Sequence, residues 1–291
     1  MRNKHILLAT DFSDAWADRL PEIAQLFTAM QSTVSVIHVL TSPFKVWLQA
    51  ETLELAAQER LEHWLALMRE HNIHTGKALV RSGNAAEEII AVARALHIDV
   101  IMIAADAKRT LLGSTAEAVV RSAEASVWVY HTQHFRGLRH IVCACDMSAA
   151  SAKALQKATS LAEEYRAQLD VLYCLELPDT NTLGMSKEQA EETYRQHKAE
   201  LRREFDNFVR ISLEQTLPEQ STPEHKQNGL TMTLHVVWGK PSATIVEFAR
   251  DAHADVIVLG AKGKSNLQIL TLGSTAHNIL RTARNSLLIV R

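Results

Sequence analysis

Three cysteines in 291 residues are too few for a disulfide scaffold. No stretch approaches the roughly 20 apolar residues that a membrane span needs. Neither sign of charge is in excess, since 31 Lys plus Arg face 33 Asp plus Glu for a formal net charge of -2. That balance lacks the basic footprint of a nucleic-acid-binding protein, so no nucleic-acid partner is expected. The opening "MRNKHILLATDFSDAWADRL" has a basic start, but Asp11 and Asp14 interrupt its apolar run before it reaches signal-peptide length. A cytoplasmic address is expected. What the chain does have is a 47% hydrophobic and 22% charged composition, that of a soluble globular protein long enough for two domains. Cys143 and Cys145 share one β-like run, "HIVCACD", where alternation puts both on one face. With no Cys-x-x-Cys pair and no second ligand cluster beside them, they read as reduced core thiols rather than as a metal site.

The chain is an internal repeat. Lys4 to Leu40 aligns without a gap on Arg139 to Leu175, which pairs Asp11 with Asp146, Ser13 with Ser148 and Val39 with Cys174. Ser82 to Ala105 then matches Trp238 to Ala261, and both halves run through "LGST" to a short apolar segment, "SVWVY" or "SLLIV". Two domains are expected, 1–135 and 136–291, joined near His131 to Gly137. Strand-like runs alternate with helix-like segments in each half, which predicts an α/β fold of two tandem open parallel five-stranded sheets flanked by helices. In the second half the strands fall at about 139–145, 168–175, 230–238, 255–260 and 286–291. A helix over about 186–213 opens on "SKEQ", a Ser-x-x-Gln capping box, and puts Ala190, Tyr194, His197, Leu201, Phe205 and Phe208 on one face, expected to pack on the sheet. Pro218 to Gly229 carries turn formers without periodicity and is expected to be a mobile surface loop.

One stretch, "GAKGKSNLQILTLGST" from Gly260 to Thr275, resembles a phosphate loop. It is not a Walker loop, which needs four residues between a glycine and the Gly-Lys-Ser/Thr triplet. The spacing is Gly260-x-x-Gly263, nine residues, then Gly273-Ser274. Two glycines leaving a strand let the backbone approach a polyphosphate and adopt conformations closed to residues with a Cβ. Gly273, Ser274 and Thr275 would open the next helix, whose unpaired N–H groups and dipole attract anions. Taken singly, Gly260 could merely end a strand and Gly273 to Thr275 merely cap a helix; at this spacing the pattern points to a nucleotide. Lys262, between the glycines, is near phosphate on this reading and an ordinary solvated lysine on the other.

This pattern resembles the nucleotide-binding motif of the universal stress protein family, whose α/β sandwich is related to adenine nucleotide α-hydrolases. The resemblance covers nearly the whole chain as two tandem family domains. It implies ATP as ligand, with Mg an optional companion. It implies that Asp146 contacts the adenine or ribose side with Ala144 and Cys145 lining the approach, and that the main chain at Cys174 reads the adenine edge. The other role open to Asp146 is capping the following helix, which Ser148 could share. The resemblance further implies antiparallel contact between "SVWVY" and "SLLIV", an internal pseudo-dimer, with homodimerisation of chains left open. In the first half Ala104 and Ala107 replace the loop glycines and five residues, not nine, precede Gly113. That pocket is expected to be closed or distorted and the first domain to be a structural partner without ATP. The leading reading is an ATP-binding regulatory stress protein. A slow ATPase, or a scaffold binding a protein or other small ligand, are the alternatives, since no catalytic base, arginine finger or metal-carboxylate pair stands beside the loop.

Overall fold

The computed structural model describes residues 4–12, 20–29, 32–41, 50–105, 113–131, 137–176, 186–214, 230–263 and 272–291. Ser13, Ala107, most of the linker, the 218–229 segment and most of the nine-residue excursion after Gly263 lie outside that set. The chain divides into two units, one of residues 1–137 with 286–288 and one of 138–285 with 289–291.

The first unit runs β1 (Lys4–Ala9), α1 (Leu20–Ala29), β2 (Ser32–Leu40), α2 (Ala50–Glu70), β3 (His74–Ser82), α3 (Ala85–Ala95), β4 (Val100–Ala105), α4 (Ser114–Ser122) and β5 (Ser126–His131). Its strand order is β3-β2-β1-β4-β5, and each of these neighbouring pairs is parallel. The second repeats the plan with β6 (His140–Cys145), α5 (Ala149–Tyr165), β7 (Gln168–Leu175), α6 (Lys187–Glu214), β8 (Thr231–Trp238), α7 (Pro241–Asp251), β9 (Val256–Gly260), α8 (Ser274–Thr282) and β10 (Ser286–Val290). Its order is β10-β9-β6-β7-β8. The α/β class and parallel sheets expected from the sequence are what the chain forms. Ile141, Val142 and Cys143 are consecutive and fully buried. Burial of successive residues requires cover on both faces of the strand, which is how a parallel sheet under helices differs from a one-sided one. Among the described residues no helix is long and apolar enough to cross a membrane.

Local chemistry sets where the helices begin. Ser148 caps α5: its Oγ accepts the Ser151 amide while the Ser148 amide donates to Ser151 Oγ at 3.0 Å, a reciprocal box that satisfies two orphan donors. Ser186 does the same for α6, donating its amide to Gln189 Oε1 at 2.8 Å and accepting the Gln189 amide at 3.2 Å. Pro241 occupies the first turn of α7, where an absent N–H leaves nothing unpaired.

The apolar stripe of α6 divides along its length. Phe205 is fully buried and stacks within 5.6 Å of Tyr173 on β7, and Val209 and Leu213 are buried one and two turns on. His197 is exposed, and the side chains of Ala190 and Tyr194 lie outside the described set. Packing on the sheet therefore belongs to the C-terminal half of the stripe. Beneath the same sheet, Asp170 is buried and accepts from His140 Nε2 at 2.6 Å and His235 Nε2 at 3.0 Å, so one carboxylate ties β6, β7 and β8 together.

Candidate functional site

In the second sheet β6 has β7 on one side and β9 on the other, so the winding reverses between β6 and β9. Ligands of open α/β sheets sit beyond the carboxyl ends of the strands at such a point. A cavity of about 170 Å³ lies there. Ala144, Cys145 and Asp146 line it from the end of β6, Cys174 from β7, Gly260, Lys262 and Gly263 from the end of β9, and Gly273, Ser274 and Thr275 from the start of α8. The structure thus brings together every residue that the sequence singled out.

Asp146 has two faces. Its Oδ1 accepts the Ser148 amide at 3.0 Å, a turn that orients the start of α5 without occupying the capping position, which Ser148 holds. Its Oδ2 is directed toward the glycine loop: a Cβ built on Gly263 would stand 2.7 Å from it.

The glycines are needed for reasons other than the torsional freedom expected of them. The described glycines with positive φ are Gly83, Gly137 and Gly239, which do not include Gly260, Gly263 or Gly273. A Cβ on Gly260 would lie 2.8 Å from the Ala150 backbone carbonyl carbon, so this glycine permits α5 to pack against the end of β9. Gly263 keeps the space before Asp146 open. Gly273 returns the chain to its start, since a Cβ there would be 3.6 Å from the Gly263 nitrogen, and its own amide donates to the Ala261 carbonyl at 2.8 Å. That amide is consequently committed to the loop and not to a ligand. The donors that remain are those of the first turn of α8, whose capping position is Gly273 and carries no side-chain cap. An anion placed there would meet uncapped amides and the positive end of the helix dipole.

Apart from buried Ser151, the rest of the cavity wall is apolar. Ile245, Leu259, Ala276 and Ile279 wall it together with Pro241, none of which the motif reasoning picked out. The signal available was the hydrophobic periodicity of α7 and α8, which marks a core-facing stripe without saying that its first two turns border a cavity. Exposed Lys262 and Ser274 stand at the rim. The three thiols are free. Cys143 and Cys145 are buried with their sulfurs 3.8 Å apart, and the hydrogen bond between them together with burial pushes the Cys145 thiol well above its usual range. Cys174 donates to the Gly239 carbonyl at 3.4 Å, and burial raises its thiol as well.

The first unit carries a counterpart cavity built from the equivalent positions. A cavity of about 520 Å³ is lined by Ala9, Thr10 and Asp11 after β1, by Ile37 to Thr41 along the end of β2, by Ile103 and Ala104 on β4, and by Ala85, Ile89, Gly113, Thr115 and Ala116 on or beside α3 and α4. Ala104 sits where the second unit has Gly260, yet its methyl group does not fill the pocket. The pocket was expected to be closed or distorted; its described walls, from the sheet and helices, enclose a cavity, while residues 106–112, which carry the shortened loop, lie outside the described residues.

A parallel sheet wound both ways from its reversal point, with helices between successive strands, defines an α/β domain that the chain carries twice. The model of the universal stress protein family matches residues 2–131 and again 137–291, so the chain belongs to that family as two tandem domains and is a stress-response protein. Universal stress protein MJ0531 of Methanocaldococcus jannaschii is 27% identical over 153 residues, which are 53% of this chain and 82% of that protein. Universal stress protein Sll1388 of Synechocystis sp. is 28% identical over 161 residues, 53% of this chain and 99% of that one. A universal stress protein from Archaeoglobus fulgidus shares the fold over 100% of this chain and 99% of its own, with a TM-score of 0.73 at 17% identity.

Proposed function

We propose that the second unit binds an adenine nucleotide, ATP foremost, and that the bound nucleotide regulates a stress-response protein in the cytoplasm. The carrying observation is the convergence of Asp146, Gly263 and the uncapped start of α8 on one cavity. At about 170 Å³ the cavity is smaller than the ~300–1,000 Å³ of ordinary ligand pockets, so it takes the apolar part of the ligand and leaves the phosphates at the mouth. There they meet Lys262, the Ser274 hydroxyl and the amides of the first turn. Asp146, which lines the same cavity, accepts from the base or the ribose on this reading. Three reduced cysteines and no disulfide among them accord with a reducing compartment.

Titration calorimetry of the full chain with ATP tests this reading, with native mass spectrometry to identify any co-purified ligand. One ATP per chain is expected, abolished by Gly263→Val while the far-ultraviolet spectrum is kept. A wild-type chain that neither retains nor binds an adenine nucleotide would overturn it.

A further inference from the structure

We propose that β8 is a detachable edge strand, and that the bond between His235 and the buried Asp170 is the latch that sets how often it opens. No residue of β8 is buried, whereas residues 169–172 of β7 and 256–259 of β9 all are. Local opening is cheapest where little apolar surface is withdrawn from water, so β8 gives way before its neighbours. Side chains hold it at identifiable points instead. His235 Nε2 donates to Asp170 Oδ1 at 3.0 Å, and Arg202 donates to the Leu234 carbonyl at 2.9 Å. The Arg202 side chain is 45% exposed, so water competes for it, whereas Asp170 is buried and its bonds are costly to lose. From β6 on the other side of β7, His140 Nε2 donates to the second oxygen of Asp170 at 2.6 Å. The carboxylate is thereby anchored to the part of the sheet that stays, and it offers its remaining oxygen to the strand that leaves.

The first unit has the same kind of edge and a different fastening. β3 also has no buried residue. By the alignment of the halves, His5 and Ser35 occupy the positions of His140 and Asp170, and Leu79 that of His235. Ser35 Oγ lies 2.9 Å from His5 Nε2 and accepts the Lys77 amide at 3.0 Å, so β3 is held there through its main chain, at a register shift between Val34 and Val36. The carboxylate latch belongs to the second unit, and what it governs is one wall of the candidate cavity. β8 ends at Trp238, the Gly239 carbonyl accepts from the Cys174 thiol at 3.4 Å, and α7 begins at Pro241. Cys174, Pro241 and Ile245 line the cavity, so opening of β8 loosens the wall on that side.

Hydrogen exchange of the full chain without ligand, read by mass spectrometry on peptides from β3, β6, β8 and β9, tests this. In the wild-type chain the β8 amides that pair with β7 are expected to exchange at least about tenfold faster than those of β6 and β9. His235→Leu, which matches the residue of the first unit, is expected to speed exchange in β8 by about tenfold to a hundredfold more, the effect of losing one hydrogen bond to a charged group. It is expected to leave β3, β6 and β9 as they were. Asp170→Ser, again the residue of the first unit, is expected to speed β8 in the same way. Combining the two is expected to change β8 little further, because both remove one and the same bond. The inference is overturned if β8 is as protected as β6 and β9 in the wild-type chain, or if His235→Leu leaves β8 unchanged. It is equally overturned if His235→Leu speeds exchange across the second sheet alike, or if the effects of the two substitutions on β8 add. None of these outcomes depends on what the cavity binds.

Discussion

Gly260→Ala and Gly263→Ala are expected to fail in different ways. At Gly260 the new methyl group meets the Ala150 backbone at 2.8 Å, a contact that only a shift of α5 can relieve. Overpacking of this kind costs ~1–3 kcal/mol, so urea unfolding should show a lower midpoint. At Gly263 the methyl group meets the Asp146 carboxylate, which can swing away, so stability should hold while nucleotide affinity falls. Asp146 and Ser274 divide the ligand between them. Asp146→Asn should lower affinity for ATP and adenosine alike by about tenfold to a hundredfold, the equivalent of ~1–3 kcal/mol from a lost hydrogen bond. Ser274→Ala should weaken ATP and leave adenosine unaffected, because its hydroxyl stands at the rim. Calorimetry with both ligands, beside thermal unfolding without ligand, reads both substitutions. If Asp146→Asn lowers only the unfolding temperature, its bond to the Ser148 amide is its whole role.

Along α6 the two halves of one helix should respond unequally. Phe205→Ala removes a fully buried ring and should cost ~3–5 kcal/mol, whereas Glu200→Ala on the exposed stretch should stay within ~0.5 kcal/mol. Chemical denaturation of the two variants measures the contrast. This helix also shows how far a sequence can be read. Its start was legible because the Ser186–Gln189 box acts within a single turn, and β6 to β10 were legible because each is a short apolar run between turn formers. Which part of the α6 stripe is buried was not, since periodicity gives the direction of a face and not the extent of the surface opposing it. The residues of the candidate site could be picked out because they cluster at strand ends and one helix start. The reason for Gly260 could not, since Ala150 is 110 positions away in sequence and close only in the fold. Nor could the cavity in the first unit, since Ile37, Ile89 and Ile103 in its wall read as ordinary core.

Over the whole molecule, several buried neutral groups resist ionisation. Burial raises Tyr165 and Tyr173, and its hydrogen bond to Cys143 together with burial raises Cys145. In the unfolded chain these groups lose their protons near their ordinary values, about 8.5 for a thiol and about 10 for a phenol. Above those values the unfolded state holds fewer protons than the folded one, so unfolding becomes easier as pH rises. Stability attributable to these groups is therefore complete below about pH 8 and declines from there upward. Thermal unfolding between pH 7 and 10.5 should show a falling Tm, and Cys145→Ser should flatten the first part of the fall. A Tm that rises over that interval would contradict the sign.

The backbone corner after the first strand of each half has a consequence for substitution. Phe12 and Met147 both stand at φ 60°, a left-handed conformation that costs an L-residue roughly 1–2 kcal/mol. The same turn is made under an aromatic ring in one half and a thioether in the other. How the chain leaves the strand is therefore set by the frame, and what stands at the corner is free to differ between the two halves.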